Sequence, residues 1–244
     1  LNMRFLFIDE SQLDGKTIQL SKDQVHRLGK VLRLRRNDEL DVRLRHNGEG
    51  YRARVIELAP RKGQLEVTES LGTKPNSTAF VHMGLALLKK KKLELVMQKV
   101  TELGIASFTP LTCQNCVVKE LSSKECERLQ QTAEEACQQS GRTTLPLINQ
   151  LCSLPEFIKN SIEQGQEVYL LHQDSEKTIL KKDEVEFYRG SELTLVVGPE
   201  GGFSEEEVEK ALTLGANVRL LPGHILRAET AAIAAAALFS LSLA

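Results

Sequence analysis

Five residues that follow a run of strand-forming residues could bind a ligand through their main chain. The stretch "LTLVVGPEGGFSEEE" continues after Val197 as Gly198, Pro199, Glu200, Gly201 and Gly202. Glycine lets a ligand approach the backbone closely, and proline stiffens the loop. The spacing matches neither a P-loop nor a dinucleotide-binding loop. Glu200 and the acids behind it disfavour phosphate, so we expect a ligand with an uncharged base, a sugar and a positive centre, and S-adenosylmethionine has those parts.

A second segment lies just downstream and also follows a predicted strand. In "VRLLPGHILRAETAA" a predicted strand over residues 218–221 is followed directly by Pro222 and Gly223. Three residues with charged or hydroxyl side chains then precede an alanine-rich helix: Arg227, Glu229 and Thr230. Taken alone, the first loop could be an ordinary turn between a strand and a helix. Two unusual loops after successive strands instead indicate one ligand site formed by both.

Alternating strands and helices must position these loops. Ser204 and Glu207 form Ser-x-x-Glu, a capping box that predicts a helix start directly after the first loop. "FVHMGLALL" is a nearly continuous apolar run, as expected of a strand covered on both faces. "KKLELVMQKVTELG" predicts an amphipathic helix that stops at Gly104. This alternation predicts a parallel α/β sheet, and such sheets bind ligands at the carboxyl ends of their strands.

The N-terminal part of the chain has a different pattern. "ELDVRLRH" and "YRARVIEL" alternate on either side of Asn47-Gly48, which predicts a hairpin with one packed face and one face that presents arginines. "LGTKPNST" is polar and contains glycine and proline, as a linker does. We therefore predict a β-rich domain over residues 1–72 and an α/β domain over residues 73–244.

Residues 27–54 concentrate positive charge on a chain whose net charge is −1. Nine basic residues stand there against four acids, a local net charge of +5: Arg27, Lys30, Arg33, Arg35, Arg36, Arg43, Arg45, Arg52 and Arg54. A solvated charged surface is the commoner meaning of a single such run. Its concentration on an otherwise near-neutral chain favours docking onto the phosphates of a nucleic acid.

Other features of the sequence exclude several classes of protein. Five cysteines, an odd number, make no disulfide framework and favour a reduced, cytosolic protein. Cys113 and Cys116 have no second ligand pair for zinc and lie in a predicted strand or loop, which favours incidental thiols and no metal site. No apolar run is long enough for a membrane helix, and residues 1–10 form no signal-peptide pattern. We therefore expect a cytoplasmic protein without a membrane partner.

The two C-terminal segments, "LVVGPEGGFSEEE" and "LLPGHILRAETAA", together resemble the SPOUT superfamily of trefoil-knotted methyltransferases, and more narrowly the bacterial 16S ribosomal RNA (uracil-N3) methyltransferases. "HRLGKVLRLRRND" resembles the family's N-terminal signature, and "QKVTELGI", Pro110 and "AEEACQQSGR" resemble its middle motifs. The resemblance extends over essentially the whole chain. It implies a C-terminal trefoil-knotted α/β domain with a mostly parallel sheet, a small N-terminal PUA-like β-barrel that binds RNA, S-adenosylmethionine as the cofactor, and a homodimer.

The reaction that this resemblance implies is methyl transfer to N3 of one uridine in the 16S ribosomal RNA of the small ribosomal subunit. N3 must lose its proton, and the negative charge then spreads over the flanking carbonyl oxygens, where an arginine fork can stabilise it. Arg227 is the catalytic candidate for this role. Glu229, the second candidate, could orient Arg227 or accept the proton, and it could equally be a favourable charge at a helix N-terminus.

The resemblance and the loop positions together predict two sets of binding residues. The cofactor is expected to contact Leu171, His172, Val197, Gly198, Pro199, Glu200, Gly201, Gly202, Leu221, Pro222, Gly223, Ile225, Leu226 and Thr230. N3 lies on the pairing edge of the base, so the RNA must present an unpaired or flipped uridine. The residues expected to hold the RNA are Arg4, His26, Arg33, Arg35, Arg43, Arg45, Arg52, Lys90 and Arg142. Lys90 could instead be part of a solvated helix start, and Arg142 could serve a helix terminus or the dimer.

The sequence departs from the usual pattern of this family at one place. Pro222 stands where the family commonly has glycine, and His224 where it has its first arginine. Two alternatives therefore stay open: a catalytically inactive RNA-binding or ribosome-assembly factor of the same fold, and a ribose 2′-O RNA methyltransferase. The intact segments 198–202 and 227–230 count against the first alternative, and the order of motifs along the whole chain counts against the second.

Overall fold

The structure is a computed structural model, and it describes residues 5–60, 62–73, 81–173, 192–221 and 223–243. Two residues named above, Arg4 and Pro222, lie outside the described residues. Contacts between residues divide the chain into two compact units. The first comprises Leu1–Asn76 and Glu134–Leu145, and the second comprises Ser77–Ala133 and Pro146–Ala244.

The first unit is built on a six-stranded sheet. Its strands are β1 (Leu6–Ile8), β2 (Leu13–Asp14), β3 (Thr17–Leu20), β4 (Glu39–Leu44), β5 (Gly50–Ala59) and β6 (Lys62–Gly72). They lie in the order β1-β4-β5-β6-β3-β2, with β1 parallel to β4 and every other neighbouring pair antiparallel. A 3-10 turn (Glu10–Gln12), helix α1 (Lys22–His26) and a π-helical turn (Arg27–Val31) complete the regular structure of this unit's first segment.

The core of this unit follows the alternation along its strands. Val42 of β4, Val55 of β5 and Leu65 of β6 are fully buried in one cluster with Ile8 and Leu28. The predicted hairpin is confirmed, because β4 and β5 pair antiparallel through a short connection.

Arg43 differs from the prediction that the polar face of this hairpin presents arginines. Its side chain is buried, and Nη1 donates to the main-chain carbonyls of Gly48 and Gly72, each at 3.0 Å. Gly50 leaves the space for the guanidinium, since a Cβ at that position would clash with it. The prediction that Arg43 is exposed is therefore wrong, because alternation determines the face of a strand but not what covers that face.

The second unit contains a parallel sheet, as the sequence predicts. Its described strands are β7 (Val81–Ala86), β8 (Ser107–Thr112), β9 (Leu147–Ile148), β10 (Cys152–Ser153), β11 (Glu167–Leu171), β12 (Leu193–Val197) and β13 (Asn217–Arg219). Six lie in the order β10-β8-β7-β12-β11-β13, and β9 pairs with β8. Every pairing is parallel. The last strand ends at Arg219, two residues before the predicted end at Leu221.

Five helices are described besides α1: α2 (Lys90–Leu103), α3 (Ser123–Ser140), α4 (Leu154–Glu163), α5 (Glu205–Thr213) and α6 (Ala228–Leu243). The predicted amphipathic helix is confirmed as α2, which buries Leu93, Val96, Met97 and Val100 and ends at Gly104 with a φ of 94°. α2 packs against α6, and α6 also lies against β7 and β12. Among the described helices, none is both long and apolar enough to cross a membrane.

Candidate functional site

A cavity of about 320 Å³ opens at the carboxyl ends of the parallel strands. Leu171 ends β11, Val197 ends β12, and Leu221 follows β13, and all three line the cavity. The remaining walls come from the loop after β12 and from the segment that leads into α6. The strands therefore bring both motif segments to one place, where an α/β sheet usually binds its ligands.

The loop after β12 has a local geometry that its sequence explains. The main-chain N–H of Gly202 donates to the carbonyl of Pro199 at 2.9 Å, which closes a turn, and Gly202 has a φ of 71°. This left-handed conformation favours glycine. The predicted capping box follows: Glu207 N–H donates to Ser204 Oγ at 3.2 Å, and Ser204 N–H donates to the Glu207 carboxylate at 3.0 Å. Helix α5 therefore starts at a fixed point behind the loop.

A second loop, after β8, holds this loop from outside. Asn115 Nδ2 donates to the carbonyls of Gly201 and Gly202 at 3.3 and 3.1 Å. The main-chain N–H of Gln114 donates to Glu207 Oε1 at 2.8 Å. Asn115 was not among the predicted site residues, because it lies 86 and 87 residues from its partners and no spacing rule connects them.

The two cysteines on either side of this contact, Cys113 and Cys116, are free thiols and buried. Cys113 N–H donates to Cys116 Sγ at 3.4 Å, and Lys119 Nζ donates to the carbonyl of Cys113 at 2.9 Å. The hydrogen bond between the thiols lowers the pKa of Cys116 to about 6, against the opposing effect of burial, and raises the pKa of Cys113. These contacts make the turn that carries Asn115.

The catalytic candidates lie at the start of α6. Arg227 is exposed, lines the cavity and accepts the main-chain N–H of Ala231 at 2.8 Å with its carbonyl. Its guanidinium forms no ion pair within the described part of the chain. Glu229 lies in the first turn of the helix, where a negative charge is favourable.

Glu229 has a partner that the sequence did not reveal. Its Oε2 lies 3.2 Å from Lys92 Nζ, and the same ammonium donates to Glu200 Oε1 at 3.0 Å. The hydrogen bond to Glu200 raises the pKa of Lys92; Glu229 adds to this effect and burial opposes it. Burial alone would raise the pKa of Glu200, but Lys92 outweighs it and the pKa is lowered overall. Lys92 is 108 residues from Glu200, so no local pattern predicts this contact.

The structure brings most of the predicted cofactor residues together. The lining includes Leu171, His172, Val197, Gly198, Pro199, Glu200, Gly202, Leu221, Gly223, Ile225 and Leu226. Gly201 and Thr230 are described but do not contribute to the lining, and Pro222 lies outside the described residues. Several lining residues were not predicted: Gln173, Phe203, Leu220, His224, Ala228 and Ala231. Among the residues that the structure describes, no group of three or more potential ligands could hold a metal ion.

The basic residues predicted to hold RNA fall into different environments. Four are exposed: His26, Arg33, Arg35 and Lys90. Two are in ion pairs: Arg45 with Asp9 and Glu134, and Arg52 with Asp41 and Glu69. Arg142 is half-buried, and this burial lowers its pKa from the ordinary arginine value. Arg43 is buried, as described above, and Arg4 lies outside the described residues.

Fold and site together define a class of protein: a parallel α/β protein whose ligand cavity opens at the carboxyl ends of its strands and carries an exposed arginine. The profile of the RNA methyltransferase domain family matches residues 74–240. Over 244 residues the chain is 32% identical to the Ribosomal RNA small subunit methyltransferase E of Rickettsia conorii, covering 95% of this chain and 93% of that protein. The chain therefore belongs to the RNA methyltransferase domain family, and within it to the ribosomal RNA small subunit methyltransferases E.

Solved structures with the same fold include two methyltransferases. The chain is 27% identical to a Legionella pneumophila methyltransferase solved in complex with its bound cofactor SAM, with a TM-score of 0.87 over 99% of this chain and 98% of that one. It is 24% identical to a Ribosomal RNA small subunit methyltransferase E from Neisseria gonorrhoeae, solved bound to S-adenosyl methionine, with a TM-score of 0.85 over 98% of each chain. The second of these likenesses shows a shared fold.

Proposed function

We propose that this chain transfers a methyl group from S-adenosylmethionine to N3 of a specific uridine in the 16S ribosomal RNA of the small ribosomal subunit. The observation that carries the proposal is the cavity at the carboxyl edge of the sheet, because both motif segments wall it and the exposed Arg227 lies in its lining. The relatives named above support the same reaction class.

The residues present suit the proposed cofactor. The cavity has about 320 Å³ of space, and its walls combine apolar side chains such as Leu171 and Leu226 with glycine main chain. No lysine or arginine other than Arg227 lines the described walls, and the Glu200 carboxylate is paired with Lys92, so the cavity suits a ligand that is not a polyanion. When bound, S-adenosylmethionine supplies a methyl group on a positively charged sulfur, which reacts with a nucleophile without a metal.

Each catalytic candidate then has a distinct role in our proposal. Arg227 is directed at the uracil and stabilises the negative charge that forms on its carbonyl oxygens when N3 loses a proton. Glu229 is already ion-paired with Lys92, and its side chain is only 13% exposed. We therefore infer that Glu229 holds the start of α6 and the arginine before it, and that the N3 proton leaves by another route.

We further propose that residues 1–72 form a PUA-like β-barrel domain that binds RNA and that residues 73–244 form a trefoil-knotted SPOUT domain. Of the predicted RNA contacts, His26, Arg33 and Arg35 have the strongest support, because they are exposed and close in sequence. A homodimer is supported by half-buried apolar side chains along α6, such as Ile233 and Ala237. A cytoplasmic location agrees with a ribosomal substrate.

Product analysis tests the proposed reaction. The protein is incubated with labelled S-adenosylmethionine and small ribosomal subunits from a strain that lacks this methyltransferase, and the RNA is digested to nucleosides. Label in 3-methyluridine is the expected result. Label in a ribose-methylated nucleoside would contradict the uracil-N3 assignment and leave the methyltransferase class in place. No label with competent subunits would favour an inactive RNA-binding factor.

A further inference from the structure

Helix α2 begins with an arrangement of charge that is unfavourable for a helix. Lys89 is its N-cap and makes no capping hydrogen bond with its side chain, and three more lysines follow in the first turn. Positive charge at a helix N-terminus opposes the helix dipole. Three of the four lysines are exposed to solvent, which reduces this cost, whereas Lys92 is only 30% exposed.

Lys92 is the member of this run that contacts the site. Its ammonium lies between a carboxylate of the first loop and a carboxylate of the second segment, 3.0 Å from Glu200 Oε1 and 3.2 Å from Glu229 Oε2. Both carboxylates approach the same nitrogen, so without its charge they would repel each other across a short distance. Lys92 therefore connects two walls of one cavity that are separate in the sequence.

We propose that Lys92 is a positioning residue for methyl transfer: its ammonium ties Glu200 and Glu229 together, so that the loop after β12 and the start of α6 keep one geometry around the cofactor and Arg227. This inference rests on the proposed function of the cavity. Lys92 is not a phosphate contact in this arrangement, because both carboxylates already occupy its ammonium. That role stays with exposed neighbours such as Lys90.

Lys92→Gln and Lys92→Arg test the proposal, with Lys99→Gln as a matched control. Lys99 lies in the same helix and forms an ion pair with Glu102 at 3.0 Å, so its substitution also removes one lysine ion pair. For Lys92→Gln we expect the Kd for S-adenosylhomocysteine to rise about tenfold and kcat to fall about tenfold, with KM for the ribosomal subunit unchanged. For Lys92→Arg we expect the Kd for S-adenosylhomocysteine and kcat to lie within about threefold of the wild-type values. For Lys99→Gln we expect both quantities to equal those of the wild type.

A double-mutant cycle tests the coupling itself. If Lys92 acts through Glu200, then Glu200→Gln and Lys92→Gln are not additive, and the double variant binds S-adenosylhomocysteine about as well as Lys92→Gln alone. Additive losses would overturn the proposal. A rise in KM for the subunit with unchanged cofactor affinity would also overturn it, because that result describes a contact to RNA.

Two further controls keep the test decisive. Lys92→Met, which retains the apolar stem, is made beside Lys92→Gln, and if neither variant folds then Lys92 serves the fold and the proposal is wrong. Cofactor affinity is measured by calorimetry without RNA. If the wild type binds S-adenosylhomocysteine but makes no 3-methyluridine, the proposed reaction fails while the affinity of Lys92→Gln still decides whether Lys92 positions the loops.

Discussion

The two ends of the parallel sheet carry cavities of similar volume but different chemistry. The cavity at the carboxyl ends has about 320 Å³, and the one at the amino ends has about 330 Å³. The first is walled by glycine main chain, apolar side chains and loops that are tied to distant elements. The second is walled mainly by side chains with amide and hydroxyl groups: Ser107, Thr109, Asn149, Gln150, Asn160, Ser161, Gln164 and Gln166.

This difference shows that volume alone does not identify a functional site. At the amino ends several polar groups pair with one another: Thr194 Oγ1 donates to Gln166 Oε1 at 2.6 Å, and Asn149 Nδ2 donates to Thr109 Oγ1 at 2.8 Å. At the carboxyl ends the guanidinium of Arg227 is exposed and has no ion-pair partner in the described part of the chain. An exposed guanidinium in the lining distinguishes the first cavity from the second, whose described lining contains no lysine or arginine.

The largest expected effect is at Arg227. If it stabilises charge on the uracil, Arg227→Ala lowers kcat for methyl transfer about 10²- to 10³-fold, as loss of one such donor does elsewhere. The melting temperature changes little, because the side chain is exposed. Arg128→Ala is the control, since Arg128 is exposed and its ion pair with Glu94 lies outside the cavity lining. Equal kcat values for Arg227→Ala and Arg128→Ala would contradict a catalytic role for Arg227.

Substitution of two glycines, one in the cavity lining and one outside it, distinguishes the cost of backbone strain from a loss of cofactor affinity. Gly202 has a φ of 71° and Gly165 a φ of 78°, and apart from the two chain neighbours no described atom lies within 4 Å of an added Cβ at either position. Gly202→Ala and Gly165→Ala should therefore each cost about 1 kcal/mol of folding stability. Only Gly202→Ala should weaken S-adenosylhomocysteine binding, by about tenfold, since Gly202 lines the cavity. Similar affinities for both variants would refute this separation.

Substitutions at the amino ends of the strands should change the stability of the fold and leave cofactor binding unchanged. Thr194→Val removes the donor to Gln166 Oε1 from a fully buried position and should lower the free energy of unfolding by about 1 kcal/mol. Thr213→Val removes an exposed hydrogen bond to the carbonyl of Glu209 and should have almost no effect on stability. Urea unfolding measures both. A loss of cofactor affinity in Thr194→Val would show that the two ends of the sheet are coupled.

The smallest expected effect is a pH dependence at His82, which lines the amino-end cavity. Burial lowers the pKa of His82, and the charge of Glu192 opposes this shift only in part. A histidine whose pKa is lowered in the folded state contributes stability above its unfolded value, about 6.5, and loses it as the pH falls through the folded value. The urea midpoint should therefore fall less between about pH 7.5 and pH 5.5 in His82→Asn than in the wild type. Equal decreases in both proteins would contradict this role for His82.

Structural features that are set by residues close together in the sequence could be predicted from it. The Ser204 capping box, the stop of α2 at Gly104 and the buried strand β12 follow from local propensity and periodicity, and all three occur in the structure. The parallel sheet follows from their alternation, and the position of the cavity follows from the sheet. Because strands in a parallel sheet end at one edge, two loops that are separate in the sequence could be assigned to one site in advance.

Contacts between distant residues were not predictable in this way. In the sequence Lys92 is one of four consecutive lysines, Asn115 belongs to none of the motifs named above, and Arg43 is predicted to be at the surface. In the structure Lys92 forms ion pairs with Glu200 and Glu229. Asn115 donates to the carbonyls of Gly201 and Gly202. Arg43 donates to the carbonyls of Gly48 and Gly72. Their partners are set by how the chain folds back on itself, which periodicity does not report.

The sequence by itself determined the α/β class, the order of strands and helices, and most of the residues that line the cavity, because each depends on the chemistry of a short segment. Only the tertiary structure decided which polar side chains are committed to partners and which stay exposed. Glu229 and Arg227 illustrate the division: they are two residues apart and look equally available in the sequence, yet Lys92 occupies Glu229 and leaves Arg227 exposed at the cavity. The physical reason is that a charge is neutralised by whichever opposite charge the fold places within a few ångströms, however far apart the two lie along the chain.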